Sequence, residues 1–239
     1  MLTINYEDKD IIVVVKPVGM ESQSSRGFSA DMVSEIKKHI HRTSTIKGEP
    51  YVGVIHRLDK PVSGLMVYAK TKQAAAILSD AVQKGMLKKQ YLAVICGKTV
   101  DNVGNYVDYL LKLDGENLSK IVDKGITGGK LAKLDYRVLQ TREDGDETLS
   151  LVEIDLLTGR HHQIRVQFAG HGTPLWGDNR YNPQFAGNGR ANIGLAAWKL
   201  SFAHPLTGKK LHFEMIPQAG IFRDFQDILI EYKRSTNQK

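Results

Sequence analysis

Cysteine and long apolar stretches are nearly absent from this sequence. Cys96 is the single cysteine, which excludes an internal disulfide and any zinc site built on several cysteines. No run of eighteen or so apolar residues occurs, so no membrane-spanning helix is predicted. The first residues lack the basic start and apolar centre of a signal peptide. We therefore predict an intracellular, cytoplasmic protein in which Cys96 is a small apolar residue of a strand.

Positive charge is in excess. Lysine and arginine total 33 against 26 aspartates and glutamates, which gives a net charge of +7 and a sequence pI of about 9.3. This balance favours a polyanionic partner, because cations that neutralise phosphates release condensed counterions. Many basic proteins bind no nucleic acid, so charge alone does not identify the partner. With 239 residues, 41% of them hydrophobic, the chain can bury a real core.

Apolar periodicity and turn residues predict a chain of alternating strands and helices. Strands are predicted at 10–17, 64–70, 88–97, 106–111, 134–139 and 150–157, and a hairpin at 195–204 and 210–216. Helices are predicted at 31–40 with Ser29 or Asp31 as cap, 72–84 capped by Thr71, 158–169 capped by Thr158, and 224–232 before a loose tail at 233–239. Repeats and low-complexity linkers are lacking, so one domain over residues 1–239 is the simplest organisation.

One short segment concentrates chemically useful groups. His56, Arg57 and Asp59 fall within four residues, and Pro61 and Gly64 then turn the chain into a predicted strand. A carboxylate between basic residues on such a loop is a common way to present a reactive acid. An ordinary surface turn with solvated charges would have the same residue types. The segment by itself leaves both interpretations open.

A second segment, Thr158-Gly-Arg-His-His-Gln-Ile-Arg165, follows a predicted strand. With His171 downstream, its histidines could suggest a metal site. Adjacent histidines point to different faces of a helix, however, and no carboxylate or cysteine completes a set with ligand spacing. We therefore expect no metal.

These segments resemble the motifs of the RluA-type RNA pseudouridine synthases. The resemblance rests on His56-Arg-Leu-Asp59 with Ser63-Gly-Leu65, Thr158-Gly-Arg-x-His-Gln-Ile-Arg165, Lys16-Pro-x-Gly19, Lys89-x-Tyr-x-Ala93 and Gly177-Asp-x-x-Tyr181. It spans roughly residues 10 to 216. The pair Pro61-Val62 departs from the Asp-Thr of many relatives, which reshapes the loop after Asp59 without changing the key residues.

The resemblance implies an α+β pseudouridine synthase catalytic fold. We expect a central mixed, largely antiparallel sheet flanked by helices and loops, with a basic cleft at Asp59. It further implies a single catalytic domain without the small N-terminal RNA-binding domain of many relatives. Such a protein needs no cofactor or metal, and acts as a monomer on a stem-loop of ribosomal or transfer RNA. Which RNA and which uridine are modified stays open.

The resemblance also implies residue roles. Asp59 would be the catalytic carboxylate, as nucleophile at ribose C1′ or in assisting a glycal route. Arg165 would pair with Asp59, and Tyr91 would stack on the uracil and help remove the C5 proton. Arg57 would enter the space vacated by the flipped base. The implied substrate-binding residues are His56, Arg57, Arg160, His162 and Ile164.

The chemistry of these residue types agrees with such roles. An opposite charge favours an ionised carboxylate, and a bidentate arginine fixes its orientation. An ionised carboxylate can act as a nucleophile, and a phenol can stack on a base or move a proton. A glycosidase would need a partnered acid, and none stands out near these motifs. The competing interpretation is a catalytically inactive RNA-binding protein on the same scaffold.

The lysines of the middle of the chain allow two interpretations. They could line an RNA path or form a solvated hairpin face, and the sequence does not separate the two. The residues concerned are Lys112, Lys120, Lys124, Lys130 and Lys133.

Overall fold

The computed structural model describes residues 2–24, 30–45, 48–145, 147–187 and 192–236. The chain forms two compact units. The first contains Met1–Lys89 and Ala197–Met215, and the second contains Gln90–Ala196 and Ile216–Lys239. The single domain expected from the sequence therefore stays a prediction.

The chain contains eleven strands and four α-helices among the residues that the structure describes. In order they are β1 (Thr3–Glu7), β2 (Ile11–Lys16), α1 (Met32–Thr43), β3 (Gly53–Val54), β4 (Ser63–Ala69), α2 (Lys72–Gln83), β5 (Lys88–Cys96), β6 (Val103–Leu113), β7 (Leu118–Val122), β8 (Lys130–Asp144), β9 (Glu147–Leu156), α3 (Gln163–Gly170), β10 (Leu195–Ala203), β11 (Lys210–Glu214) and α4 (Gln226–Thr236). The strand ladders described here are antiparallel, and a parallel bridge joins Glu21 to Asp31. The predicted α+β class with a mixed, largely antiparallel sheet is confirmed.

The first unit is organised around β2. This strand pairs with β1 on one side and β4 on the other, while β3 also pairs with β4 and β10 pairs with β11. Ile11 to Val14 have no exposed surface, which explains why the sequence shows a continuous apolar run there instead of alternation. Helix α2 begins at the predicted Thr71 cap and packs Ala74 and Leu78 into the same core. Helix α1 is capped by Asp31, whereas Ser29 lies outside the described residues.

A hydrogen-bonded cluster ties the β1–β2 turn to the end of β10. Asp8 accepts backbone N–H bonds from Asp10 and Ile11, both at 2.8 Å, and His204 Nε2 lies 2.7 Å from its carboxylate. Asp8, Asp10 and His204 are close enough to surround a metal ion. However, His204 Nδ1 accepts N–H bonds from residues 206 and 207, so Nε2 carries the proton and donates to Asp8. Both imidazole nitrogens are therefore used within the protein, and the cluster is structural.

The second unit contains an antiparallel sheet in the order β5-β9-β8-β6-β7. Helix α3 contacts β6 and β7. A small core of Leu110, Ala132 and Val166 lies there, with Ile121 and Tyr181 packed against it. No helix in the described residues is both long and apolar enough to cross a bilayer.

The prediction that α3 begins after a Thr158 cap was wrong. Thr158 Oγ1 accepts from Lys133 N–H at 2.8 Å and donates to Gln163 Oε1 at 2.8 Å, so its hydroxyl is committed to β8. The helix begins at Gln163, after His162 in the left-handed conformation (φ 54°, ψ 24°). At the other end of the chain, α4 continues through Thr236 and so includes part of the predicted loose tail; residues 237–239 lie outside the described residues.

The Asp8 cluster predicts a pH-dependent contribution to stability. Burial raises the pKa of Asp8, whereas the hydrogen bonds from Ile11 N–H, Asp10 N–H, Tyr6 and His204 lower it. The hydrogen bonds together have the larger effect, so the pKa of Asp8 lies below its ordinary value of 3.8. A depressed carboxyl pKa stabilises the fold above the unfolded value and loses that effect as pH falls through the folded value. We expect Asp8→Asn to lower the free energy of unfolding by about 1–3 kcal/mol at neutral pH.

Urea unfolding of both proteins from neutral pH downward measures this effect. The difference between wild type and Asp8→Asn should shrink below pH 3.8, the ordinary value of this carboxyl. Asp80→Asn, which removes an exposed carboxylate paired with Lys84, should change stability by less than about 0.5 kcal/mol. A difference independent of pH would show that the Asp8 charge is not the stabilising feature.

Candidate active site

The backbone beside Asp59 is held by hydrogen bonds on both sides. Val62 N–H donates to the Asp59 carbonyl oxygen at 3.0 Å, which closes a turn after the carboxylate. On the preceding side, Ser22 Oγ accepts from Leu58 N–H at 3.0 Å and donates to the Leu58 carbonyl oxygen at 2.9 Å. The Asp59 loop, defined here as residues 55–62, is thus fixed although it has no regular structure.

Lys16 also supports the Asp59 loop. It has no exposed surface, and its Nζ donates to the carbonyl oxygens of Pro17, Met20 and Lys60 at 3.0, 2.7 and 3.1 Å. Burial lowers the pKa of Lys16 to about 8, and the nearby Asp59 charge opposes that change. An ammonium has three N–H donors, and three carbonyls receive them. Lys16 is therefore not a surface charge but a buried support of the loop.

A glycine is required where the Asp59 loop enters β4. Gly64 has φ of 135°, and a Cβ at this position would lie 2.2 Å from the carbonyl oxygen of Ala197 in β10. Any side chain would therefore push β4 away from its neighbouring backbone. This steric requirement explains the glycine in the Ser63-Gly64-Leu65 part of the motif.

The basic residues of this loop have contrasting environments. His56 is 8% exposed, and its Nε2 accepts from Val67 N–H at 3.2 Å. Burial, aided by the charge of Lys89, lowers the pKa of His56 to about 3, so the imidazole is neutral at physiological pH. Arg57, in contrast, is exposed. His56 thus anchors the loop to β4, whereas Arg57 faces solvent.

In the second unit, Arg165 forms a buried ion pair with Asp178. Its Nε and Nη2 each lie 2.7 Å from one carboxylate oxygen, and the two side chains are 3% and 0% exposed. Asp178 also accepts N–H bonds from Arg180 and Tyr181 at 3.0 and 3.2 Å. From the sequence, Asp178 is recognised only as part of the Gly177-Asp-x-x-Tyr181 motif, and no role is predicted for it. The pairing of Arg165 with Asp59 joins residues of different units and stays a prediction.

Tyr181 connects this ion pair to the β6–β7 hairpin. The Arg165 guanidinium lies 5.2 Å from the centre of the Tyr181 ring. The Tyr181 hydroxyl accepts from Ser119 N–H at 2.8 Å and lies 2.9 Å from His162 Nδ1. His162 is 8% exposed. It is therefore held inside the unit, next to the turn end of the β6–β7 hairpin.

The remaining predicted site residues of the second unit occupy α3, the turn before it and β5. Tyr91 is 5% exposed in β5 and faces Ile154 of β9 in the ladder. Ile164 is buried in the first turn of α3, and Arg160 is exposed with its Nε donating to the Leu131 carbonyl oxygen at 2.9 Å. The structure thus separates the exposed Arg160 from the part of its motif that is buried, residues 162–165.

The matches to known proteins agree with this description. Residues 10–170, more than half of the chain, match the family described as RNA pseudouridylate synthase. The chain belongs to this family, whose members are RNA-modifying isomerases. The resemblance and the enzyme class predicted from the sequence are thereby confirmed.

Individual relatives show the extent of the similarity. The chain is 35% identical over 219 residues to the Bacillus subtilis protein named uncharacterized RNA pseudouridine synthase YlyB, covering 89% of this chain and 68% of that protein. It is 34% identical over 176 residues to the Rickettsia bellii protein named ribosomal large subunit pseudouridine synthase C, covering 74% of this chain and 55% of that one. The structure of human RNA pseudouridylate synthase domain containing 1 superposes with a TM-score of 0.74 at 20% identity, covering 95% and 94% of the two chains. At that identity the superposition shows the fold alone.

The buried ion pair predicts a large cost for one substitution. Asp178→Asn leaves the Arg165 guanidinium buried without its carboxylate, so we expect a loss of about 3–5 kcal/mol in the free energy of unfolding. Urea unfolding measures it. Glu49→Gln removes a carboxylate from a surface pair with Lys37 and should change stability little, because solvent screens such a pair. Equal small losses for both variants would contradict the proposed weight of the buried pair.

Tyr181→Phe separates the contribution of the Tyr181 hydroxyl to stability from that of its ring. The variant keeps a ring beside Arg165 but removes the acceptor of Ser119 N–H, so we expect a stability loss of about 1–3 kcal/mol. Hydrogen exchange at the Ser119 amide should become faster relative to its neighbours. Tyr51→Phe, which removes a hydroxyl from a side chain that is 39% exposed, is the control. Unchanged exchange at Ser119 would mean that the hairpin is held by other contacts.

Proposed function

We propose that this protein converts uridine to pseudouridine in a structured ribosomal or transfer RNA, with Asp59 as the catalytic carboxylate. The observation that carries the proposal is the Asp59 loop. Its backbone is fixed on both sides by Ser22 and Lys16, and its sequence has the central motif of the family. Such preorganisation is what a reactive acid requires. Relatives named for the large ribosomal subunit favour ribosomal RNA as the first substrate to test.

The proposed reaction rearranges one base without a net change in composition. Asp59 attacks ribose C1′ as the N1–C1′ bond breaks, or alternatively assists formation of a glycal. The detached uracil then rotates, and C5 forms a new bond to C1′. In the nucleophilic route the bond between Asp59 and C1′ breaks in this step, and in the glycal route C2′ regains the proton that it lost. The C5 proton leaves and N1 gains a proton. Tyr91 stacks on the uracil and assists removal of the C5 proton, and Arg165 orients Asp59. These roles follow from motif position.

The target nucleotide must leave its stack before Asp59 can reach the sugar. Arg57 is exposed on the loop before Asp59, which supports a role in occupying the vacated space. His56 serves by anchoring the loop, and Arg160, His162 and Ile164 contribute to substrate binding through their motif. Loop nucleotides of a stem-loop are the preferred targets, since they are least costly to unstack. We propose that the enzyme works in the cytoplasm as a monomer, without a cofactor or metal.

Tritium release from RNA labelled at uridine C5 tests the function. The RNA comes from cells that lack this protein, so that the target is unmodified. Wild type should release tritium, and Asp59→Asn should reduce the rate by more than about a thousandfold, because the variant lacks the attacking carboxylate. Asp80→Asn, on the exposed face of α2, should act like wild type.

Each other outcome has a distinct meaning. No release by wild type, with RNA binding intact, would refute catalysis on the RNAs tested and favour the inactive RNA-binding alternative. Equal release by wild type and Asp59→Asn would show that the catalytic carboxylate lies elsewhere. Sequencing of the labelled RNA then identifies the modified uridine.

A further inference from the structure

His161 is held at the end of the β6–β7 hairpin by contacts from three directions. Its Nδ1 lies 2.8 Å from Ser119 Oγ, and its Nε2 lies 3.0 Å from Asn117 Oδ1. Its ring stacks on His162 with 3.8 Å between the centres. The hairpin end and the turn before α3 therefore form one continuous surface in the second unit.

Three exposed cations surround His161 on this surface. Arg160 precedes it in the chain, and Arg180 Nη1 donates to the Asn117 carbonyl oxygen at 3.5 Å. Lys112 stands directly opposite Ser119 in the β6–β7 ladder. Because Ser119 and Asn117 both contact His161, each cation is at most one residue removed from that imidazole. We call Lys112, Arg160 and Arg180 the hairpin patch.

The charges of the hairpin patch are not neutralised by ion pairs. Arg160 and Arg180 each donate one N–H to a backbone carbonyl oxygen. A carbonyl does not neutralise the charge of the guanidinium, and the other N–H groups can bind an anion. Among the described residues, no carboxylate forms an ion pair with any of the three. Asp114 and Glu116 are exposed at the hairpin turn and oppose the patch at longer range. A guanidinium pair with a lysine matches phosphate groups of a polynucleotide.

The patch is also coupled to Arg165. Arg180 lies between Asp178 and Tyr181, and its own N–H donates to Asp178. The Tyr181 hydroxyl binds Ser119, the residue opposite Lys112. Patch and ion pair are thus parts of one hydrogen-bonded assembly within the second unit.

We propose that the hairpin patch binds the phosphate backbone of the RNA substrate. The inference rests on the proposed function for the identity of the polyanion, and it adds Lys112 and Arg180 to the residues that bind it. It also distinguishes Lys112 from Lys120, because Lys112 is opposite Ser119 whereas the next residue, Lys120, points to the other face of the hairpin.

The salt dependence of binding tests the patch. The probe is a fluorescein-labelled RNA stem-loop with a uridine-rich loop, titrated by fluorescence anisotropy from about 50 to about 200 mM salt. Lys112→Gln and Arg180→Gln should each weaken binding severalfold and reduce the slope of log K against log salt by about 0.7 to 1, because each removes one phosphate contact. Arg180→Lys should retain the slope, since it keeps the charge.

Two further variants sharpen the result. Glu116→Gln should strengthen binding, because it removes a negative charge from the hairpin turn. Lys210→Gln, an exposed lysine of β11 in the first unit, should leave affinity and slope unchanged. Circular dichroism and thermal unfolding verify that each variant is folded.

A folded Lys112→Gln, Arg180→Gln double variant with wild-type affinity and slope would overturn the patch. Equal slope changes for Lys210→Gln would overturn it as well, because binding would then reflect overall charge. Tritium release by the unaltered protein is measured in parallel. Release together with unchanged slopes refutes the patch alone, whereas absent release with reduced slopes refutes the catalytic proposal and leaves RNA binding by the patch established.

Discussion

The buried ion pair of Arg165 and Asp178 is the interaction on which the second unit's site depends. A guanidinium with 3% exposure needs a carboxylate in bidentate geometry to offset its desolvation. Asp178 is in turn held by the N–H groups of Arg180 and Tyr181. The pair therefore determines the path of the chain after Gly177, and through Tyr181 it also determines where the β6–β7 hairpin lies.

The first unit holds a buried cation in a different way. Lys16 has backbone carbonyls as its acceptors, and the charge of Asp59 raises its pKa against the larger effect of burial. Dipoles compensate burial less completely than a carboxylate does, which is why the pKa of Lys16 falls to about 8. A perturbed cation facing a carboxylate on a fixed loop is typical of functional sites. The two buried cations thus have different structural roles. In the first unit Lys16 orients backbone carbonyl groups, whereas in the second unit Asp178 orients the Arg165 guanidinium.

Local periodicity predicted most strands and helices, because apolar residues in β2, β4 and α2 record which faces are buried. It did not predict the short strands β1, β3 and β7. The start of α3 was missed since the Thr158 hydroxyl binds Lys133, a partner that is distant in sequence. Asp178 was recognised as part of a motif, yet its pairing with Arg165 depends on a turn that no local pattern encodes. The candidate site residues came from the resemblance, and residue types alone had left a solvated turn equally possible.

Burial separates the basic residues into roles that sequence cannot distinguish. Lys16, His56 and Arg165 are buried and use their donors or acceptors within the protein. Such groups can orient other residues but cannot attract a distant polyanion, because their charge is absent or already compensated. Arg57, Arg160 and Arg180 are exposed and retain both charge and donors. We therefore expect attraction of the proposed RNA substrate to come from the exposed residues, and orientation of the proposed catalytic groups to come from the buried ones.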